Sequence, residues 1–65
     1  MVGKRIAKLR KERRWTQRYL GNAVGLSRGY IASIEEGDVY PSIKAVAVIA
    51  KILGVGAGEL LKEEE

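Results

Sequence analysis

The chain contains neither cysteine nor histidine, and these two absences remove most of the chemistry that a small domain can carry. Without thiols there is no disulfide to staple the fold, and without imidazole there is neither a side chain that titrates near neutral pH nor the commonest transition-metal ligand. The remaining carboxylates form no cluster at metal-ligand spacing, no facing pair and no partner to a Gly-rich phosphate loop, in a chain too short for a deep pocket. The sequence therefore predicts no catalytic residue, no metal site, no cofactor and no small-molecule substrate. Long apolar runs are missing too. None approaches the roughly 20 residues needed to cross a bilayer, and the opening MVGKRIAKLR lacks the apolar central segment of a secretory signal. The expectation is a soluble, cytoplasmic protein without membrane contact, and the lack of cysteine is compatible with a reducing compartment.

Acid is scarce in one half only. Residues 1–34 hold nine Lys or Arg against the single acid Glu12, whereas residues 35–65 hold three Lys against seven acids, within a net charge of +4. Such a dipolar domain presents a phosphate-seeking side, and its acidic far end keeps the attraction directional. The competing reading is a set of solvated helix faces that confer solubility. The 65 residues allow one domain, spanning 1–65. A chain of this size buries only about 60% of its unfolded surface, so one apolar core must hold it.

Helical periodicity runs through the whole chain. Val2, Ile6 and Leu9 recur at spacings of four and three among Lys4, Arg5, Lys8, Lys11 and Glu12, which predicts an amphipathic first helix. Taken alone, GKRIAKLRKERRW also fits a basic membrane-surface helix with an interfacial Trp. Three further capped amphipathic segments need partners for their apolar faces, which favours a packing helix. Trp15 precedes a cap and is placed to staple onto Tyr19 or Leu20.

Residues 16–35 then read as two short helices around a tight corner. Thr16 caps a second helix of about 17–24, Gly25 reverses the chain, and Ser27 caps a third helix of 27–36 that Gly37 closes. Leu20, Ala23, Val24, Leu26, Ile31 and Ile34 form the inner faces. Gly21 costs about 1 kcal/mol inside a helix relative to Ala, so a close backbone approach is expected there. A fourth helix, 42–53, directs Ile43, Val46, Ala47, Ile49, Ala50 and Leu53 inward, leaves Val48 more exposed and ends at Gly54. A last turn from residue 57 or 58 to about 61 packs Leu60 and Leu61, and KEEE at 62–65 forms a frayed acidic tail.

Gln17, Gly21, Gly25, Leu26, Ser27, Arg28, Ile31, Ile34, Glu35 and Gly37 together resemble the phage-repressor and Cro-like helix-turn-helix domains. GKRIAKLRKER looks like that family's first helix, PSIKAVAVIAKILGV like its fourth and GELL like its last, so the resemblance covers nearly the whole chain. It implies an all-α fold: a compact five-helix bundle of the lambda-repressor-like type, with a helix-turn-helix core at 16–36. The implied function is sequence-specific binding of double-stranded DNA, as a transcription regulator, by a homodimer on paired half-sites or by a monomer. Because the sequence stops directly after the fifth helix and its groove face is spare, an isolated or engineered DNA-binding module is expected.

The face opposite Ile31 and Ile34 carries Arg28, Gly29, Ala32, Ser33 and Glu36, with Ser27 at its leading edge, and these six are the candidate base contacts. A B-DNA major groove admits one α-helix and distinguishes all four base pairs. Arg28 leads, because a guanidinium can bond guanine O6 and N7 together; a phosphate contact and a solvated arginine are its alternatives. Gly29 permits close approach, Ala32 can touch a thymine methyl, and Ser33 can donate or accept.

Candidate phosphate contacts are Thr16, Gln17, Arg18, Tyr30, Tyr40, Ser42 and Lys44. The resemblance assigns Gln17 a clamp on the backbone at a helix N-terminus, where free amides attract anions. Ser42 with Lys44 makes a second such end. Tyr30 divides between packing and phosphate contact. Arg10 and Glu35 occupy positions where the family often has an ion pair. Glu36 and Asp38 depart from the family's commonly basic segment: either they face cytosine amino groups or this edge stands away from DNA, since carboxylates beside phosphates are repelled. The alternative function is an antitoxin-like protein-interaction or dimerisation module, with Tyr19, Val48 and Val55 as its sticky surface.

Overall fold

Three hydroxyls set where the middle helices begin. Thr16, Ser27 and Ser42 each sit in extended backbone and accept a hydrogen bond from the amide three residues on: Tyr19 at 2.9 Å, Tyr30 at 3.0 Å and Ala45 at 3.0 Å. Each satisfies one of the amides that a helix start leaves without a partner. The computed structural model, which describes residues 2–62, accordingly has five helices: α1 (Val2–Glu12), α2 (Gln17–Val24), α3 (Arg28–Glu36), α4 (Ile43–Leu53) and α5 (Ala57–Leu61). No strand occurs among the described residues. The acids Glu63, Glu64 and Glu65 of the expected tail lie outside them.

The helices stop where a left-handed residue turns the chain. Gly25 at φ 75° and Gly37 at φ 86° do this for α2 and α3, a conformation costly to any residue with a Cβ. After Gly37, the Asp38 amide bonds the Ser33 carbonyl at 2.9 Å and ties down the end of α3. The turn between α1 and α2 has no such glycine. There Arg14 itself takes φ 60°, a conformation for which the sequence carries no signal.

The core is one cluster to which all five helices contribute. Ile6 of α1, Leu20 of α2, Ile31 and Ile34 of α3, Ile49 and Leu53 of α4 and Leu60 of α5 are fully buried. Each is worth about 1.5–3 kcal/mol of transfer free energy, which is what replaces disulfides and metal here. α3 lies between α1 and α2, while α5 closes the bundle against α4 and α1.

Several apolar residues lie elsewhere than their periodicity indicates. Ile43 is 90% exposed and Ala47 is exposed, because α4 turns Ala45, Val46, Ile49, Ala50 and Leu53 inward and so leaves the neighbouring stripe outside. Val48 is half-buried against the core rather than exposed. Ala23 is exposed on α2, and Leu61 is 44% exposed because α5 is a single turn that can bury only one of its two leucines. Tyr19 packs on Trp15, with ring centroids 5.0 Å apart, and Val55 packs half-buried against the core. Of the expected sticky surface, Val48 and Val55 are thus engaged within the fold, while Tyr19 stays 52% exposed.

Two glycines fix how closely the helices approach. A Cβ on Gly21 would stand 2.7 Å from the Leu26 carbonyl oxygen, so the corner between α2 and α3 closes only without a side chain there. Gly3 is tighter still: a Cβ would overlap the Ile34 carbonyl oxygen and stand 3.1 Å from the Glu35 Cα. The sequence pattern of Val2, Ile6 and Leu9 passes over this residue. The buried stripe of α1 is Gly3, Ile6 and Arg10, and the signal for it is their spacing of three and four.

Candidate nucleic-acid interface

The corner of α2 and α3 builds an exposed face with an electrostatic rim. Arg28, Gly29 and Glu36 are exposed along α3, Ala32 and Ser33 are half-buried, and Ser27 is exposed at the cap. Nothing stands within 4 Å of where a Cβ on Gly29 would be, so this side of the helix is open to a surface brought against it. Arg28 lines one open depression with Thr16, Gln17, Arg18 and the guanidinium-bearing Arg10. The structure therefore brings together the first candidate base contact and three of the candidate phosphate contacts. Ser42, Lys44 and Tyr40 do not line that depression; they lie in and before the first turn of α4, where the Ser42 amide meets Tyr30 of α3.

Behind that face is a polar network that fixes the angle of α3. Arg10 is only 7% exposed. Its Nε and Nη2 donate to the Glu35 carboxylate at 2.8 and 2.9 Å, in the two-pronged geometry that a guanidinium fork favours. A further Nη1 bond reaches the Trp15 carbonyl at 2.6 Å, and Gln17 Nε2 donates to the same carboxylate at 3.1 Å. One carboxylate on α3 thus holds α1 and the first residue of α2, and the same Arg10 holds the α1–α2 turn. The hydrogen bond to Glu35 raises the Arg10 pKa further above its ordinary value; burial acts the other way, and the carboxylate's charge adds to the rise. Arg10 is consequently a fixed internal cation that titrates nowhere near neutral pH.

Gln17 spends one amide hydrogen on Glu35 and keeps a second N–H to offer outward. The backbone amides of Gln17 and Arg18 have no acceptor within α2, as at any helix start. Tyr30 is a strut: its hydroxyl oxygen accepts a hydrogen bond from the Ser42 amide at 3.1 Å, joining α3 to the start of α4. Its position is that of the packing reading, and that oxygen's own hydrogen remains available to a second acceptor.

Not all of the basic half faces outward. Arg5 pairs with Glu59 at 3.9 Å. Arg13 donates to the Leu9 carbonyl at 2.9 Å and to the Leu53 carbonyl at the end of α4, and its guanidinium lies 5.7 Å from the Trp15 ring centre. With Arg10 buried, three of the nine basic residues of the first half serve the fold. In the sequence these three are indistinguishable from surface charge, since nothing local marks an arginine that caps a helix 40 residues away.

The comparisons agree with this geometry. A family model described as "Helix-turn-helix" matches residues 6–60. The immunity repressor protein of Bacillus phage phi105 is 41% identical over 70 residues, which takes in 98% of this chain and 49% of that protein. The chain thus spans about half the length of that curated relative. Among solved structures, the N-terminal DNA binding domain of SinR from Bacillus subtilis superposes with a TM-score of 0.93 at 32% identity, covering 100% of this chain and 96% of that one. The P22 c2 repressor protein, in complex with synthetic operator 9T, gives a TM-score of 0.92 at 30% identity, covering 98% of this chain and 97% of that one.

Proposed function

The chain belongs to the helix-turn-helix family, and from that premise we propose that it is a sequence-specific double-stranded DNA-binding domain of the transcription-regulator type. It is a single domain that places α3 in the major groove and performs no catalysis. The observation that carries this reading is the open face of α3, free of protein neighbours at Gly29 and bordered by Arg28, Arg18 and the amide-rich start of α2. The likeness to the P22 c2 repressor in complex with its synthetic operator and to the DNA binding domain of SinR supports it. No described helix is long and apolar enough to cross a membrane, which fits a regulator acting on DNA in the cytoplasm.

Phosphate neutralisation supplies much of the affinity, and the α3 face supplies the discrimination. Ser27, Arg28, Gly29, Ala32, Ser33 and Glu36 form the reading edge. Arg28 is the residue whose fork can take both acceptors of a guanine, and Gly29 lets the helix approach closely enough for Ala32 and Ser33 to reach bases. Thr16, Gln17 and Arg18 hold the backbone on one side of the groove, and Tyr30, Tyr40, Ser42 and Lys44 on the other. Arg10 and Glu35 touch no DNA in this reading; they set the angle between the two sides.

Selection of bound sequences from a random duplex pool tests the proposal directly. A defined motif of a few base pairs, lost when Arg28 is replaced by Ala, is the expected result. Recovery of unenriched sequence, or of a motif indifferent to every substitution on the α3 face, would overturn it.

A further inference from the structure

Four of the five helices are closed by a residue in the left-handed region, and three of those residues are glycine. Gly25, Gly37 and Gly54 close α2, α3 and α4 at φ 75°, 86° and 75°. In each case the glycine amide bonds the carbonyl three residues back and the next amide bonds the carbonyl five residues back. α1 ends in the same pattern. The Arg14 amide bonds the Lys11 carbonyl at 2.9 Å and the Trp15 amide bonds the Arg10 carbonyl at 3.1 Å, with Arg14 at φ 60°. The chain thus places an arginine where its three other such turns place glycine. A Cβ makes that conformation unfavourable, and a bulky residue persists in it only where its surroundings hold it there.

The fold holds the Arg14 backbone and leaves its side chain unused. Arg10 Nη1 donates to the Trp15 carbonyl and Arg13 reaches the Leu53 carbonyl, so the turn is anchored on both sides of Arg14. Arg14 itself is exposed, and among the described residues its guanidinium has no hydrogen bond or ion pair. Solubility does not account for it, because Lys11 and Glu12, just before it, carry exposed charge in ordinary helical backbone. The turn also lies beside the proposed interface. Arg10 lines the open depression with Thr16, Gln17, Arg18 and Arg28, and its bond to the Trp15 carbonyl puts the turn along the rim of that depression. By chain length alone Arg14 stands within about 11 Å of Gln17.

We propose that Arg14 is a further phosphate contact, made to the DNA backbone beside the start of α2, and that the turn keeps an arginine at a glycine's position for the charge it presents there. The proposal rests on the DNA-binding reading. With α3 in the major groove, a side chain on the α1–α2 turn meets the backbone rather than base edges, and a guanidinium can take two phosphate oxygens at once. Because the turn is already fixed, less freedom is lost on binding than from a mobile tail. Folding stability is lowered at this one turn, and a positive charge stands on the rim in exchange.

The test measures thermal unfolding, and binding across a salt series to the selected motif and to a random duplex, for the wild type, Arg14→Gly and Arg14→Lys. Arg14→Gly should raise the melting temperature by a few degrees, since it restores the residue type of the other three turns. The same variant should bind both duplexes about 3–10-fold more weakly and keep its preference between them, and its slope of log affinity against log salt should fall by about 0.9. Arg14→Lys should keep the slope and gain no stability, because it retains both the charge and the Cβ. An unchanged slope in Arg14→Gly would remove the contact, and a loss confined to the selected motif would make Arg14 a base reader and overturn the phosphate assignment. A melting temperature unmoved or lowered in Arg14→Gly would overturn the exchange of stability for charge. A wild type that binds no duplex overturns the DNA reading and this contact with it, whereas a wild type that binds while Arg14→Gly matches its slope overturns the contact alone.

Discussion

The two sides of α3 are built from different chemistry. On its inner side Ile31 and Ile34 are fully buried, Glu35 takes three hydrogen bonds from Arg10 and Gln17, and Gly3 lets α1 come within contact of the helix backbone. On the outer side Arg28, Gly29 and Glu36 are exposed, and the half-buried residues there are small. The same nine residues thus carry both the orientation and the reading surface. Because the inner side over-determines the helix position, the outer side can change without the fold changing, which is what a module that varies its target requires.

Breaking the inner side should have the largest effect. Glu35→Ala leaves the Arg10 guanidinium buried without its carboxylate, and a loss of about 3–5 kcal/mol is expected in denaturant unfolding with an unchanged slope. Replacing both partners, Arg10→Met with Glu35→Leu, should restore most of that stability. The same double change should still weaken binding to the selected sequence, since Gln17 loses the group that aims it. A double variant that binds as well as the wild type would show that the network stabilises without orienting.

Gly3→Ala comes next. Its Cβ would collide with the Ile34 carbonyl, so α1 must move off α3 at a cost of about 1–3 kcal/mol, readable as a lower melting temperature. Full stability in this variant would mean that α1 and α3 can separate freely, and the comparison would lose its rigid half.

Substitution on the outer side should leave stability alone. Arg28→Ala is expected to lose about 1–3 kcal/mol of binding free energy on the selected motif and to relax preference at one base position, with thermal unfolding unmoved. An equal loss on random duplex would place Arg28 on phosphate instead. Lys44→Ala should weaken every sequence to a similar and smaller degree, and should reduce the slope of log affinity against log salt by about 1. An unchanged slope would take Lys44 off the backbone.

The elements were legible residue by residue. Thr16, Ser27 and Ser42 start helices, Gly25, Gly37 and Gly54 end them, and Gly21 marks the close corner, as their types and spacing indicate. α4 shows where that legibility stops. Its pattern admits two adjacent inward stripes, and Ile43 and Ala47 share the apolar chemistry of the stripe that is buried. Nothing within the helix distinguishes them; the position of α5 and the crossing of α2 do.

The sequence by itself therefore determined what acts over a few residues: the caps, the turns, the helical lengths, and the small polar face of α3. It determined the charge imbalance as well. Only the tertiary structure decided which arginines are turned inward, that Gly3 rather than Val2 lies on the axis of contact between α1 and α3, and that an apolar patch around Ile43 stays outside. Capping is a local competition between one side chain and water for one amide. Burial depends on the angles at which whole helices cross, and those angles are set jointly by contacts between residues as distant as Arg10 and Glu35, or Arg13 and Leu53.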